Sequence, residues 1–297
     1  MERAVAVSGV PGQTTVRCIE IGDDVSGRVR IGPGEPLVWT AGPCVIEDQH
    51  TMATTAERLK KLSEKLQIPL IFKSSYEKDN RSSEEYYNGP GLDDGLETLA
   101  WIRKEFQLPV LSDVHRVEDL SAAREVLDVI QIPAFLSRQT SLLVAAAETG
   151  KVVNVKKGQF LAPDEMQGVV GKLQRSGCER ILLTERGVCF GYKQLVADMT
   201  SLPIMQRFGF PVVFDAGHQV RRSGVPSHDP KGGAPEFIPT LLRASVAAGA
   251  NGVFLETHPN PPAALCDAAS QYPLDGMESL MADVQALGDL VRKQGHA

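Results

Sequence analysis

LIFKSSYEKDNRSSEEYYNGP, residues 70–90, starts as a short apolar strand and runs without a break into a loop dense in cations and hydroxyls. Lys73 and Lys78 supply two ammonium groups, Arg81 a planar five-donor fork, and Asn80, Ser82 and Ser83 neutral donors, all in one βα connection. Taken alone, such a loop is more often ordinary solvated surface. It becomes a phosphate-binding loop if the strand belongs to a parallel barrel, because barrel enzymes build their sites on the loops that leave the C-terminal ends of the strands. The architecture therefore decides how the loop is read.

Outward from this stretch the same alternation recurs. Apolar strand cores fall at 37–41, 70–73, 110–113, 129–132, 152–155, 180–184, 212–215 and 252–256. Helical patterns follow them near 51–66, 93–106, 117–127, 140–148, 163–176, 201–208, 236–248 and 276–292. Eight strands alternating with eight helices predict a (β/α)8 TIM barrel in the α/β class. Several strands are continuous apolar runs, as expected for parallel strands covered on both faces. A doubly wound open sheet is the rival, but no G-x-G-x-x-G follows the first strand, and charged residues end almost every strand on the same side. Before the barrel, β-prone pieces at 15–21 and 27–31, separated by Gly22, Asp23 and Asp24, predict a two-stranded ribbon that plugs or borders it. The expected division is an extension over 1–36 and a catalytic barrel over 37–297.

The length of 297 residues, 42% of them hydrophobic, suits one large core. A net charge of −6 and an isoelectric point near 5.6 argue against nucleic acid as a partner. Five cysteines with no C-x-x-C pair indicate neither a disulfide framework nor a zinc ribbon and fit a reducing cytoplasm. No run of about eighteen apolar residues occurs, so no membrane span is expected.

The strand ends deliver Cys44, Lys73, Asp113 with His115, Gln131, Lys156 with Lys157, Glu185 with Arg186, His218, and Glu256 with His258. Each could be a rim residue; polar chemistry at all eight ends points to a site. Lys73, Lys78, Arg81, Arg138, Lys156 and Arg186 are too many cations for one phosphate and predict two phosphorylated substrates. Cys44, His218, Glu256 and Asp267 form a mixed S/N/O donor set suited to a divalent transition metal, although Cys44 also reads as a small buried residue and Asp267 as a helix cap. Lys73 or Lys156 as a Schiff-base amine, and a non-catalytic phosphosugar-binding barrel, are the competing readings.

The strings AGPCVIED (41–48), FKSSYEKDNRSS (72–83), GPGLDDGL (89–96), SDVH (112–115), QIPAFLSRQT (131–140), NVKKGQF (154–160), TERG (184–187) and ETHP (256–259) resemble the 3-deoxy-D-manno-octulosonate 8-phosphate synthase family. The resemblance covers roughly residues 37–294. Asn80, Arg81 and Ser82, with PAFL-RQT, separate it from the 3-deoxy-D-arabino-heptulosonate 7-phosphate synthases, which use erythrose 4-phosphate. It implies condensation of phosphoenolpyruvate with D-arabinose 5-phosphate and water, for lipopolysaccharide synthesis, by a homotetramer. In that reading Lys73, Lys78, Lys156 and Arg186 hold phosphoenolpyruvate; Asn80, Arg81 and Ser82 hold the sugar phosphate; Arg138 comes from a neighbouring subunit. Ser75 and Gln131 join the substrate-binding set. Asp113 or a metal-bound hydroxide takes the proton. Cysteine at 44 resembles the metal-dependent branch, with Cys44, His218, Glu256 and Asp267 as ligands of zinc, iron, manganese, cobalt or a similar ion. Two departures stand beside the expected site: Asp79, where the family has alanine, and the loop 221–235.

Overall fold

The computed structural model describes residues 15–81, 83–192, 194–222, 224–226 and 229–294. β1 (Ile19–Asp23) and β2 (Gly27–Ile31) pair antiparallel as the expected ribbon. β3 (Val38–Gly42) opens the barrel. It is followed by α1 (Gln49–Leu66), β4 (Leu70–Lys73), α2 (Leu92–Glu105), β5 (Val110–Asp113), α3 (Leu120–Val126), β6 (Val129–Ile132), α4 (Thr140–Glu148), β7 (Val152–Lys156), α5 (Met166–Arg175), β8 (Ile181–Glu185), α6 (Ser201–Gln206) and β9 (Val212–Asp215). A single-turn α7 (Ala216–Gln219), α8 (Ile238–Ala247), β10 (Gly252–His258), a two-residue β11 (Tyr272–Pro273) and α9 (Met277–Lys293) complete the described chain. β3 to β10 pair in sequence order, all parallel, and β10 pairs with both β9 and β3, which closes the barrel.

All eight strands are buried along their whole length, as continuous apolar runs covered on both faces must be. α1 shows how the local sequence sets its own limits. The Asp48 carboxylate accepts from the Thr51 N–H at 2.9 Å to cap the first turn, and Met52, Ala56, Leu59 and Leu62 form a buried stripe at helical spacing. Gln67, in the left-handed region (φ 55°), turns its N–H back on the carbonyls of Ser63 and Glu64, and Pro69 follows. Truncating Leu59 to alanine would cost roughly 2–5 kcal/mol, the usual penalty for a core cavity.

The ribbon plugs the end of the barrel opposite the cation-rich loop. Ile21 and Ile31 are fully buried, Gly22 lies against Pro109 just before β5, the Arg17 N–H donates to the carbonyl of Gly209 before β9, and Ile31 packs on Gly252 at the start of β10. Arg103 on α2 ties Asp23 of the ribbon to Asp128 at the foot of β6. With one mouth filled, the other, where the strands end, is left for chemistry.

Candidate active site

The C-terminal mouth opens into a cavity of about 560 Å³, within the range of small-ligand sites. Its described wall carries six cations, Lys78, Arg81, Lys156, Arg186, Arg221 and Arg222, against two carboxylates, Asp113 and Asp267, with His218, Asn80 and Cys266 among them. Ser82 lies outside the described residues.

The floor is held by a directed chain of side-chain hydrogen bonds across five consecutive strand ends. The Thr184 hydroxyl donates to Asn154 Oδ1 (2.7 Å), the Asn154 amide to Gln131 Oε1 (2.8 Å), and the Gln131 amide to Asp113 Oδ1. The Ser75 hydroxyl and the Lys78 ammonium donate to Asp113 Oδ2 at 2.7 and 3.0 Å. Every arrow points at Asp113, and such chains strengthen one another in a low-dielectric interior. Burial alone would raise this carboxyl, but Lys78, Lys73 and Lys156 more than offset it and hold it well below the usual range. A carboxylate so filled is poorly placed to accept a proton, so the geometry gives Asp113 a positioning role: it fixes Lys78 against the cavity. Ser75 and Gln131, expected to touch substrate, instead stand behind the wall as its supports.

Lys73 is also behind the wall. Its ammonium donates to the Cys44 carbonyl at 2.6 Å and pairs with Glu256, which draws it down from the open cavity. Gly42 makes this packing possible, since a Cβ there would sit 2.0 Å from the Lys73 carbonyl. Lys156 reaches the cavity from β7, 2.8 Å from Asp215 and 3.8 Å from the centre of the Phe254 ring, a charge held by an anion on one side and a π face on the other. Lys157, readable as a rim residue, is instead fully buried beside Glu185 at 3.5 Å.

Arg186 is buried on the wall, and its Nη1 has no hydrogen-bond partner among the described residues. Burial draws its pKa down, Arg221 adds to this, and Asp215 and Asp267 work the other way. Arg186 lines the cavity, and a buried guanidinium with an unsatisfied donor beside surplus positive charge suits an anionic ligand.

A second cluster adjoins it. α7 is one turn long, and sequence periodicity did not announce it; the Asp215 carboxylate accepts from the His218 N–H at 3.0 Å to start it. The other oxygen of Asp215 lies 2.8 Å from His218 Nδ1, which leaves Nε2 turned towards Asp267 Oδ2 (3.6 Å) and Glu256 Oε2 (4.0 Å). Asp267 sits in the left-handed region (φ 50°), with its side chain buried in the cluster. Glu256 and Asp267 each spend one oxygen on a cation, Lys73 and Arg221, and turn the other to the imidazole. For Glu256, burial pushes the carboxyl up, but Lys73, His218 and Lys78 hold it at about 2. His218, Glu256 and Asp267 present donor atoms within 4.8 Å of one another; Cys44, Cys266 and Asp267 do the same, and Asp267 joins the two groups. The four residues of the expected donor set thus converge, in two overlapping groups.

Arg138 does not reach this cavity. Its side chain is 66% exposed and stands 3.9 Å from Glu165. Asp79 turns away to Arg116, at 3.4 Å, which also holds Glu77, so the extra carboxylate is neutralised outside the site. In the loop 221–235, Arg221, Arg222, Gly224, Val225 and Pro226 line the cavity, so this departure does form part of the wall. Sequence reading missed Asp215, Cys266, Arg221 and Arg222 as site residues. Asp215 closes a strand core three residues before His218, and Cys266 adjoins Asp267, but nothing in the sequence gave these neighbours their direction.

Residues 14–292 match the profile of the DAHP synthetase I family. Among curated proteins, the chain is 54% identical over 266 residues to the 2-dehydro-3-deoxyphosphooctonate aldolase of Geobacter metallireducens, covering 90% of this chain and 97% of that protein. It is 53% identical over 266 residues to the protein of that name from Trichlorobacter lovleyi, with the same coverage. The protein of that name from Pelobacter propionicus is 50% identical over 268 residues, 90% of this chain and 98% of the relative.

Proposed function

The chain belongs to the DAHP synthetase I family, and from that premise we propose how its site works as a 3-deoxy-D-manno-octulosonate 8-phosphate synthase. The enzyme condenses phosphoenolpyruvate with D-arabinose 5-phosphate and water to give 3-deoxy-D-manno-octulosonate 8-phosphate and inorganic phosphate. The observation that carries the site assignment is the buried Arg186, whose Nη1 has no hydrogen-bond partner among the described residues, in a described wall of six cations and two carboxylates. Lys78, Lys156 and Arg186 hold the phosphoenolpyruvate, and Asn80 and Arg81 take the sugar phosphate from the same cavity wall. Each charged hydrogen bond contributes about 1.5–3 kcal/mol net, and together they offset the repulsion between two phosphate anions in one cavity.

In the reaction the methylene carbon of the enol phosphate bonds to the aldehyde carbon, whose oxygen takes up a proton. Water adds at the former enol carbon, and its C–O bond to phosphate breaks to release inorganic phosphate. Holding the two anions as a near-attack pair supplies on the order of 7–11 kcal/mol of the acceleration. Asp113 keeps Lys78 in place, and the plugged floor keeps the reacting carbons at the strand ends.

Cys44, His218, Glu256 and Asp267 are the residues that would hold a divalent transition ion such as zinc, iron, manganese or cobalt. The donor set fits: a soft sulfur, an imidazole whose Nδ1 faces Asp215 and whose Nε2 is free to ligate, and two ionised carboxylates. When bound, such an ion supplies a Lewis acid for the aldehyde oxygen or for water. Asp215 orients the imidazole, and Lys73 and Arg221 hold the remaining carboxylate oxygens.

The exposure of Arg138, outside its own cavity, supports a homotetramer in which this guanidinium completes a neighbour's sugar-phosphate seat, and the exposed Phe135 and Phe160 offer apolar surface for such a contact. No helix among the described residues is long and apolar enough to cross a membrane. Five free cysteines support a cytoplasmic setting. The deciding assay is phosphate release with each substrate alone and with both together. Release only with both, and a higher kcat/KM for arabinose 5-phosphate than for erythrose 4-phosphate, is the expected result; a preference for the four-carbon sugar rejects the substrate assignment.

A further inference from the structure

Two sulfur atoms meet at the edge of the cavity. Cys44 Sγ and Cys266 Sγ lie 3.0 Å apart, and both side chains are buried. The gap is about 1 Å more than a disulfide bond, which spans about 2.05 Å. The approach is built into the backbone. The Gln271 side-chain amide accepts from the Cys44 N–H at 3.3 Å and donates to the Cys266 carbonyl at 2.9 Å, so one buried side chain holds two segments more than two hundred residues apart in sequence. Cys266 lines the cavity and Cys44 does not, so a small oxidant arriving from solvent meets Cys266 first. Arg81 Nη1 lies 2.8 Å from the Cys266 sulfur, which places the pair beside the proposed sugar-phosphate seat.

We propose that Cys44 and Cys266 form an internal redox pair, closed to a disulfide by a hydroperoxide and reopened by a dithiol. The Cys266 sulfur attacks the O–O bond of hydrogen peroxide, giving a sulfenic acid and water. The Cys44 sulfur then displaces the sulfenic hydroxyl as a second water, so that two thiols and one peroxide become one disulfide and two waters. Closure needs movement of about 1 Å and no new neighbours. A consequence, which rests on the ligand assignment above, follows from Cys44 serving both roles: the sulfur engaged in the disulfide is withdrawn from the metal donor set, and a bound ion in turn shields it from oxidation.

The test treats metal-stripped and zinc-loaded protein with hydrogen peroxide, then alkylates and digests each without reduction. The stripped protein should fall from five free thiols to three, lose two hydrogens in intact mass, and yield a peptide pair joined through 44 and 266; dithiothreitol should restore all five. Cys266→Ser, which keeps the Cys44 sulfur, should give no cross-linked peptide, and the zinc-loaded native protein should keep Cys44 outside the disulfide under the same peroxide. Oxidation that stops at sulfinic acid on either sulfur, or that joins either to Cys189 on the same wall, overturns the proposal. A 44–266 disulfide formed with zinc still bound overturns the metal consequence and the assignment of Cys44 as a ligand, while leaving the redox pair and the condensation reaction standing.

Discussion

Replacing Arg186 with methionine should move two measurements in opposite directions. This guanidinium is buried, is disfavoured by the charge of Arg221, and leaves Nη1 without a hydrogen-bond partner among the described residues. A buried donor left unsatisfied costs about 1–3 kcal/mol, so an apolar side chain of similar length should raise the stability of the empty enzyme by up to that amount. At roughly 2 °C per kcal/mol for a chain of this size, the melting temperature without substrate should rise by about 2–6 °C. With phosphoenolpyruvate the sign reverses. Losing one charged hydrogen bond of about 1.5–3 kcal/mol should weaken binding by about 10- to 150-fold, read as a higher KM for phosphoenolpyruvate and a matching fall in kcat/KM. Calorimetry of the empty protein and steady-state phosphate release measure the two halves. A variant that melts lower while binding phosphoenolpyruvate as before would show that Arg186 braces the barrel and would refute the anion-seat assignment.

Asp215→Asn should lower metal affinity by about 10- to 100-fold, because the carboxylate that orients His218 is lost; metal titration of the purified variant checks this, and unchanged affinity would remove Asp215 from the site. Asp79→Ala should leave the preference for arabinose 5-phosphate over erythrose 4-phosphate within about twofold, since an exposed pair with Arg116 is worth little; a larger change in the ratio of kcat/KM values would put Asp79 back at the sugar phosphate. The ribbon should loosen in acid. Burial raises the Asp23 carboxyl, but hydrogen bonds from Arg103, Ser26 and Val25, with the charge of Arg103, together outweigh it and hold the group at about 2 against an ordinary 3.8. A depressed carboxyl stabilises the fold above its unfolded value and loses that contribution as pH falls through the folded one. Hydrogen exchange at the ribbon amides should therefore accelerate between pH 4 and 2, relative to a curve for Arg103→Ala that lacks this step.

Much of the architecture was legible because its signals are local. The apolar cores of β4, β5, β6 and β9 fall where their hydrophobic runs predict, β3 and β8 lie one residue further along, and β7 and β10 run one and two residues longer at their C-terminal ends. Such runs need no partner in order to be recognised. The ribbon was expected at 15–21 and 27–31 and forms at Ile19–Asp23 and Gly27–Ile31, since pairing with β2, and not propensity, decides where β1 begins. α7 was invisible: four residues carry no period, and the turn exists because Asp215 caps it.

For the site, residue type at a strand end was enough to single out Cys44, Asp113, Lys156, Arg186, His218 and Glu256, and residue type in the loops that follow added Lys78 and Asp267, because in a parallel barrel every strand ends at the same mouth. What the sequence could not hold was direction. Lys73 and Lys78 look equivalent in a one-dimensional reading; the fold sends Lys73 down to Glu256 and Lys78 out to the cavity. Asn154 and Thr184 carry no signal of their own in the sequence; the closed barrel brings β5 to β8 side by side and aligns them into the chain that feeds Asp113. Cys44 and Cys266 are separated by 222 positions and touch only because β10 returns to pair with β3. Chain order and local pattern determine which elements form and which end of each carries chemistry. Contacts between residues far apart in sequence, together with the electrostatics they create once water is excluded, are decided only when the barrel closes.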